Sequence, residues 1–88
     1  MISKDFTIRN RLGLHARAAA QLVQTANRFR ADVTVSKDGM EVNGKSIMGI
    51  LMLAAAQGSS IKVSVDGEDA GDALETIGRL IDDGFGEK

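Results

Sequence analysis

Ile61-Lys62-Val63-Ser64-Val65-Asp66 alternates apolar and polar residues without a break. The alternation puts Ile61, Val63 and Val65 on one side of a strand and Lys62, Ser64 and Asp66 on the other. Such a strand belongs to a sheet with one dry and one wet face. Gly67-Glu68 leads out of it to Asp69, read as the N-cap of a helix with Asp72 in its first turn. Ala70, Ala73, Leu74, Ile77, Leu80 and Ile81 then recur at helical spacing and form one apolar stripe. Gly84 is the expected stop. A half-wet strand followed by a one-stripe helix points to the α+β class.

Working outward toward the N-terminus, Ile47 to Ala56 is apolar on every side, and Ser46 is placed to cap it. A helix apolar all round should be buried all round. A small domain has no room for that, so one side is expected to meet the core and another to stay exposed. Before it, Ala31, Val33 and Val35 alternate with Asp32, Thr34 and Ser36, and Met40 and Val42 alternate with Glu41 and Asn43. Lys37-Asp38-Gly39 joins the two runs as a hairpin, because Asp-Gly suits positive φ. From Ala16 to about Arg28, Ala16, Ala19, Ala20, Val23 and Ala26 fit one helical face. Ile2, Phe6 and Ile8 share one side of a first strand, and Lys4 on the same side suggests a solvent edge. The predicted order is β-α-β-β-α-β-α, a sheet with one face covered by three helices, in a single domain spanning residues 1–88.

Bulk properties exclude several functions. The chain has 88 residues, a formal net charge of −1, three phenylalanines and no tryptophan or tyrosine. That gives no general drive toward nucleic acid or an anionic membrane and few platforms for stacking bases. It has no cysteine, hence no disulfide, thiol chemistry or thiolate metal site. Asp66, Glu68, Asp69 and Asp72 lack the spacing of a calcium loop, so no metal or cofactor is expected. The first residues show no apolar core of a secretion signal, and Ile50 to Ala56 is too short to span a bilayer. The expectation is a soluble, cytoplasmic protein.

The chemistry centres on Gly13-Leu14-His15-Ala16-Arg17-Ala18-Ala19-Ala20, which holds the only histidine. His15 falls at a predicted helix start, where free backbone N–H groups and the helix dipole favour an anion. A free imidazole titrates near pH ~6.5, so a nucleophilic neutral form is plentiful at neutral pH. Arg17 can bind phosphate oxygens in a bidentate way. A lone histidine is as often a plain surface residue, so the site needs a second signal. Gly39-Met40-Glu41-Val42-Asn43-Gly44-Lys45-Ser46 matches a nucleotide-binding loop formally, but residues 40–43 read as a strand, and the match is taken as coincidence. Ser46 is a helix cap with a second reading as a regulatory phosphosite. Ile47, Met48 and Leu51 exceed what one core face needs and are read as a partner-docking patch.

Gly13-Leu14-His15-Ala16-Arg17 followed by alanines, together with Lys45-Ser46-Ile47-Met48-Gly49 followed by an apolar helix, resembles the HPr family along the whole chain. Its members are phosphocarriers of the bacterial phosphoenolpyruvate:sugar phosphotransferase system. The resemblance implies an open-faced β-sandwich, with a four-stranded antiparallel sheet and three helices on one face. It implies that His15 takes a phosphoryl group on Nδ1 from phosphorylated enzyme I and passes it to the A domain of an enzyme II, with Arg17 steadying the phosphate. Ser46 would be the target of HPr kinase/phosphorylase, and Ala16, Ile47, Met48 and Leu51 would face the partners of a monomeric carrier. His15 excludes a regulatory paralogue that has Gln there. Ala18 departs from the family pattern, which has proline after the arginine. Asn10-Arg11-Leu12-Gly13 and Asp83-Gly84-Phe85-Gly86 look similar to the nitrogen-related branch, NPr, whose output is regulation rather than sugar transport. A non-catalytic interaction module using the apolar patch is the alternative from another class.

Overall fold

The structure is a computed structural model that describes residues 1–87. Its elements are β1 (Ile2–Thr7), α1 (Ala16–Ala26), β2 (Asp32–Lys37), β3 (Met40–Asn43), α2 (Ile47–Met52), β4 (Ser60–Asp66) and α3 (Ala70–Asp82), with a closing 3-10 turn at Gly84–Gly86. The four strands form one antiparallel sheet in the order β1-β4-β2-β3. β4 therefore sits inside the sheet, between Ile2↔Val65 on one side and Val33↔Val65 on the other. Ile61, Val63 and Val65 are buried as the alternation predicts, beside Val33, Val35 and Phe6. All three helices pack on that face and share one core with it. This is the expected α+β open-faced sandwich, with the expected element order.

The hairpin closes as predicted. Asp38 and Gly39 both have positive φ, 51° and 84°, which is the twist that a two-residue loop between antiparallel strands requires. Met40–Asn43 is strand β3, paired from Lys37↔Met40 to Thr34↔Asn43. A strand between the two glycines cannot cradle a phosphate, so the formal nucleotide-loop match is a coincidence. β1 is the edge strand that Lys4 suggested. Ile2, expected on the dry side, is 43% exposed, at the start of the edge strand.

Three local expectations are corrected. The dry face of α1 is Ala18, Ala19, Leu22, Val23 and Ala26, whereas Ala16 is exposed and Ala20 half-buried. The stripe is rotated so that Leu22, the larger residue, is fully buried. α2 stops at Met52 instead of running to Ala56. Leu53 and Ala54 N–H groups turn back to Ile50 and Leu51 carbonyls, and the Ala55 carbonyl accepts Leu14 N–H at 2.8 Å. A tertiary bond has replaced the next helical turn. Asp69 precedes α3 but does not cap it with its side chain. Its carboxylate accepts the backbone N–H groups of Arg30 and Ala31, each at 2.8 Å, and so ties the start of α3 to the start of β2. The Arg30 bond is the largest cause holding the Asp69 carboxyl below its ordinary value.

Candidate functional site

Asn10 to Gly13 turns the chain from β1 into α1. Gly13 N–H donates to the Asn10 carbonyl at 3.2 Å, and the Asn10 side-chain amide donates to the Gly13 carbonyl at 2.7 Å. Gly13 has φ +67°, a conformation that L side chains resist, and its backbone lies against Ala55 and Ala56. The loop after α2 thus forms the floor beneath this turn. Leu14 is buried above it, which fixes the direction in which the next residue leaves.

That residue is His15, the N-cap of α1. Its carbonyl accepts the first helical bond, from Ala19 N–H at 2.8 Å. Its ring replaces the usual Ser or Asp cap, with Nδ1 accepting Arg17 N–H at 3.3 Å. Nε2 lies 3.3 Å from Glu87 Oε2. The side chain of His15 is 30% exposed, so the ring is held from two sides and open on a third. Arg17 follows at the second helical position, exposed and with no ion pair among the described residues. His15, Arg17 and Ala18 share with Leu12, Phe85 and Glu87 a cavity of about 80 Å³.

Glu87 has no counterpart in the sequence reading. Besides His15, it accepts the Asn10 side-chain amide at 3.1 Å and Leu12 N–H at 3.1 Å. The Asn10 amide is the largest cause keeping its carboxyl below the ordinary value, followed among the lowering contacts by Leu12 N–H and His15. Asn10 is buried, and its Oδ1 has no partner among the described residues. Both amide hydrogens serve the turn and the tail. The tail reaches the site because Phe85, buried with φ 58°, anchors the closing 3-10 turn. No local signal could have linked Glu87 to a histidine 72 positions earlier.

Ser46 caps α2 as predicted, its Oγ accepting Gly49 N–H at 3.1 Å. It is half-buried. Beside it, Lys45 Nζ donates to the Phe29 carbonyl at 2.9 Å, just past the end of α1. Ile47 and Met48 are exposed, at 43% and 71%, as a docking patch needs. Leu51 is half-buried against the core, while Met52 at 64% and Leu12 at 63% add exposed apolar surface that the sequence reading left out. Ala16 is exposed at the first turn of α1, next to His15. α1 and α2 are packed together. Among the described residues, no group of three or more His, Cys, Asp or Glu could hold a metal, and no helix is long and apolar enough to cross a membrane.

Known proteins place this arrangement in a family. Residues 2–83 match the family model described as the PTS HPr component phosphorylation site. The chain is 48% identical over 87 residues to the phosphocarrier protein HPr of Xylella fastidiosa, covering 99% of this chain and 98% of that one. Its fold superposes on a crystal structure of HPr from Thermoanaerobacter tengcongensis with a TM-score of 0.96 and 44% identity, covering 100% of this chain and 99% of that one. A second structure from the same organism, an HPr dimer, matches with a TM-score of 0.80 and 45% identity over 99% of this chain and 100% of that one. On a whole-length match in both sequence and fold, the chain belongs to the HPr family of phosphocarriers of the phosphotransferase system.

Proposed function

We propose that the chain carries a phosphoryl group on Nδ1 of His15, accepted from phosphorylated enzyme I and delivered to the A domain of an enzyme II. The observation that carries this reading is the two-sided hold on the ring. Nδ1 faces a backbone N–H and must therefore present a lone pair, while Nε2 faces a carboxylate and must carry the proton. Nδ1 is then the nucleophile. Its lone pair, released from Arg17 N–H, attacks the incoming phosphorus, the bond from phosphorus to the donor breaks, and that electron pair leaves with the donor. Delivery runs the same step in reverse toward the acceptor.

Little chemistry is asked of the carrier itself. Its contribution is orientation of one nitrogen and stabilisation of phosphoryl charge. The N–H groups that open α1 and the exposed guanidinium of Arg17 supply the charge term. Exposed Ala16, Ile47 and Met48, with Leu51 at the margin, supply the surface on which donor and acceptor dock in turn. The working unit in this reading is a monomer. This describes a carrier, not a self-sufficient enzyme, acting in the cytoplasm.

Incubation with phosphoenolpyruvate and enzyme I tests the reading. The wild type acquires an acid-labile phosphate and His15→Ala does not. An unlabelled wild type, or equal labelling of the variant, refutes it and favours a plain interaction module using the exposed patch. Ser46 is proposed as a target of HPr kinase/phosphorylase. A phosphate there adds roughly −1.5 to −2 charges beside Ile47 and Met48 and would weaken docking. Labelling with ATP and a cognate kinase should vanish in Ser46→Ala, and labelling that persists rejects the site.

A further inference from the structure

We infer that the groove between the free edge of β1 and α3 is a docking site for an extended segment of a partner protein, which adds as a further strand beside β1 and carries an Asp or Glu opposite Lys4.

β1 is an edge strand, paired on one side only, with β4. Ile8, just past its end, shows which backbone groups that leaves over. Its N–H donates to the Ser59 carbonyl at 2.9 Å and its carbonyl accepts Gly58 N–H at 2.8 Å, so it faces the β4 side. By the two-residue repeat, Lys4 and Phe6 face β4 as well, and Ser3, Asp5 and Thr7 turn their N–H and C=O groups outward. Those outward groups are what an added strand bonds to. Beside them lies a groove of about 310 Å³, with Lys4 and Phe6 from β1 as one wall and Gly71, Leu74 and Gly78 from α3 as the other. The glycines shape it. A Cβ on Gly78 would come within 2.8 Å of the Phe6 ring, so its absence lets helix and ring lie close, whereas a Cβ on Gly71 would meet nothing within 4 Å. None of these residues lines the cavity at His15, so the site is separate from the phosphoryl site.

The charges along the groove select the occupant. Glu75 pairs with Arg79, and Asp82 with Arg9 at 3.8 Å. Lys4 has no ion pair among the described residues, and its Nζ stands 5.4 Å from the centre of the Phe6 ring. Lys4 thus puts an uncompensated cation on the dry side of an edge strand, which rejects ordinary strands. A second copy of this chain is among those rejected. Two β1 strands paired about a two-fold axis, dry faces on the same side, set Lys4 opposite Lys4 or Asp5 opposite Asp5 in the central registers, and like charges so placed repel. A foreign strand with an acidic residue opposite Lys4 removes the penalty. Lys4 turns no backbone group outward, so it occupies the kind of antiparallel pair in which facing side chains come closest.

Two blocked synthetic peptides test this: Thr-Val-Thr-Glu-Thr-Val-Thr, and the same sequence with lysine at its centre. In 15N NMR titrations of the full chain, the glutamate peptide should shift the amides of Ser3, Asp5 and Thr7 and slow their hydrogen exchange. It should bind about fivefold or more tightly than the lysine peptide. Lys4→Glu should reverse that preference. Gly71→Leu should abolish binding of both by filling the groove, without lowering Tm, because leucine is the better helix former. No change at these amides with the glutamate peptide in excess overturns the inference. So does equal binding of the two peptides, an unaltered preference in Lys4→Glu, or undiminished binding by Gly71→Leu. Protection of the same amides that rises with protein concentration in the absence of peptide would mean that a second copy takes the edge, and the inference also falls.

Discussion

Replacing Gly13 by alanine is expected to cost far more than the same change at a second glycine with similar backbone strain. Gly13 has φ +67° and Gly39 has φ +84°. Alanine in either place pays roughly 1–2 kcal/mol for the left-handed conformation. That is partly offset by about 0.4–1 kcal/mol from a less flexible unfolded chain. At Gly39 nothing lies within 4 Å of the new Cβ, so the net loss should be about 1 kcal/mol or less. At Gly13 the new Cβ would overlap the Ala55 carbonyl oxygen and come within 3.0 Å of Ala56 Cα. Both are backbone atoms and cannot rotate away. The Ala55 carbonyl must move, and it is the acceptor of Leu14 N–H at 2.8 Å. Leaving that N–H unpaired beside buried Leu14 adds about 1–3 kcal/mol. The total for Gly13→Ala is then roughly 2–4 kcal/mol. At about 4–8 °C per kcal/mol for a domain of this size, Tm should drop by roughly 8–32 °C, against about 8 °C or less for Gly39→Ala. Thermal unfolding by circular dichroism measures both. Because His15 begins two residues on, Gly13→Ala should also slow phosphoryl acceptance while Gly39→Ala leaves it alone. Equal Tm losses in the two variants would refute the claim that the Ala55 contact governs this turn.

Three further outcomes are expected. Ala18→Pro should raise Tm by about 2–8 °C, because Ala18 precedes the first helical N–H donor and opens on a cavity of about 80 Å³ that can take the ring; a lowered Tm would show that the cavity does not accept it. Leu22→Ala should cost about 2–5 kcal/mol in urea unfolding, whereas Ala20→Ser should stay near neutral, since Leu22 is fully buried and Ala20 is not; similar losses would place the dry face of α1 wrongly. The carboxyls of Asp69 and Glu87 both sit below their ordinary values of 3.8 and 4.5. Their stabilisation is therefore complete above those values and is lost as pH falls through the lower folded ones. Between about pH 5 and pH 2 the wild type should lose more stability than the Asp69→Ala/Glu87→Ala variant; parallel Tm curves would contradict this.

What could be read from the chain depended on how far a residue's partners lie. β4 was legible because valine and isoleucine declare their side of a strand against lysine and serine. Ser46 was legible because a cap acts three residues away. α1 was misread because alanine is small enough to sit on either face, and Leu22 was the residue that decided the rotation. The early end of α2 depends on a bond from Leu14, 41 positions before Ala55. Asp69 looked like a local cap, but its partners are 39 and 38 residues away. At the site, His15, Arg17 and the glycine turn are contiguous and readable. Asn10 carries only a turn signal, and Glu87 none, because their roles exist only once the tail has folded back.

The strand order β1-β4-β2-β3 also governs when the sheet can form during synthesis. A ribosome releases the amino end first, and β1 emerges more than fifty residues ahead of the strand it pairs with. Until then Phe6 has no sheet neighbour, and only the β2–β3 hairpin can close. A two-stranded hairpin alone is marginal in water. The nascent protein therefore has little to fold on until β4 arrives and joins both halves in one event. A chain stalled before residue 60 offers no sheet, and its apolar segments stay open to chaperones and proteases.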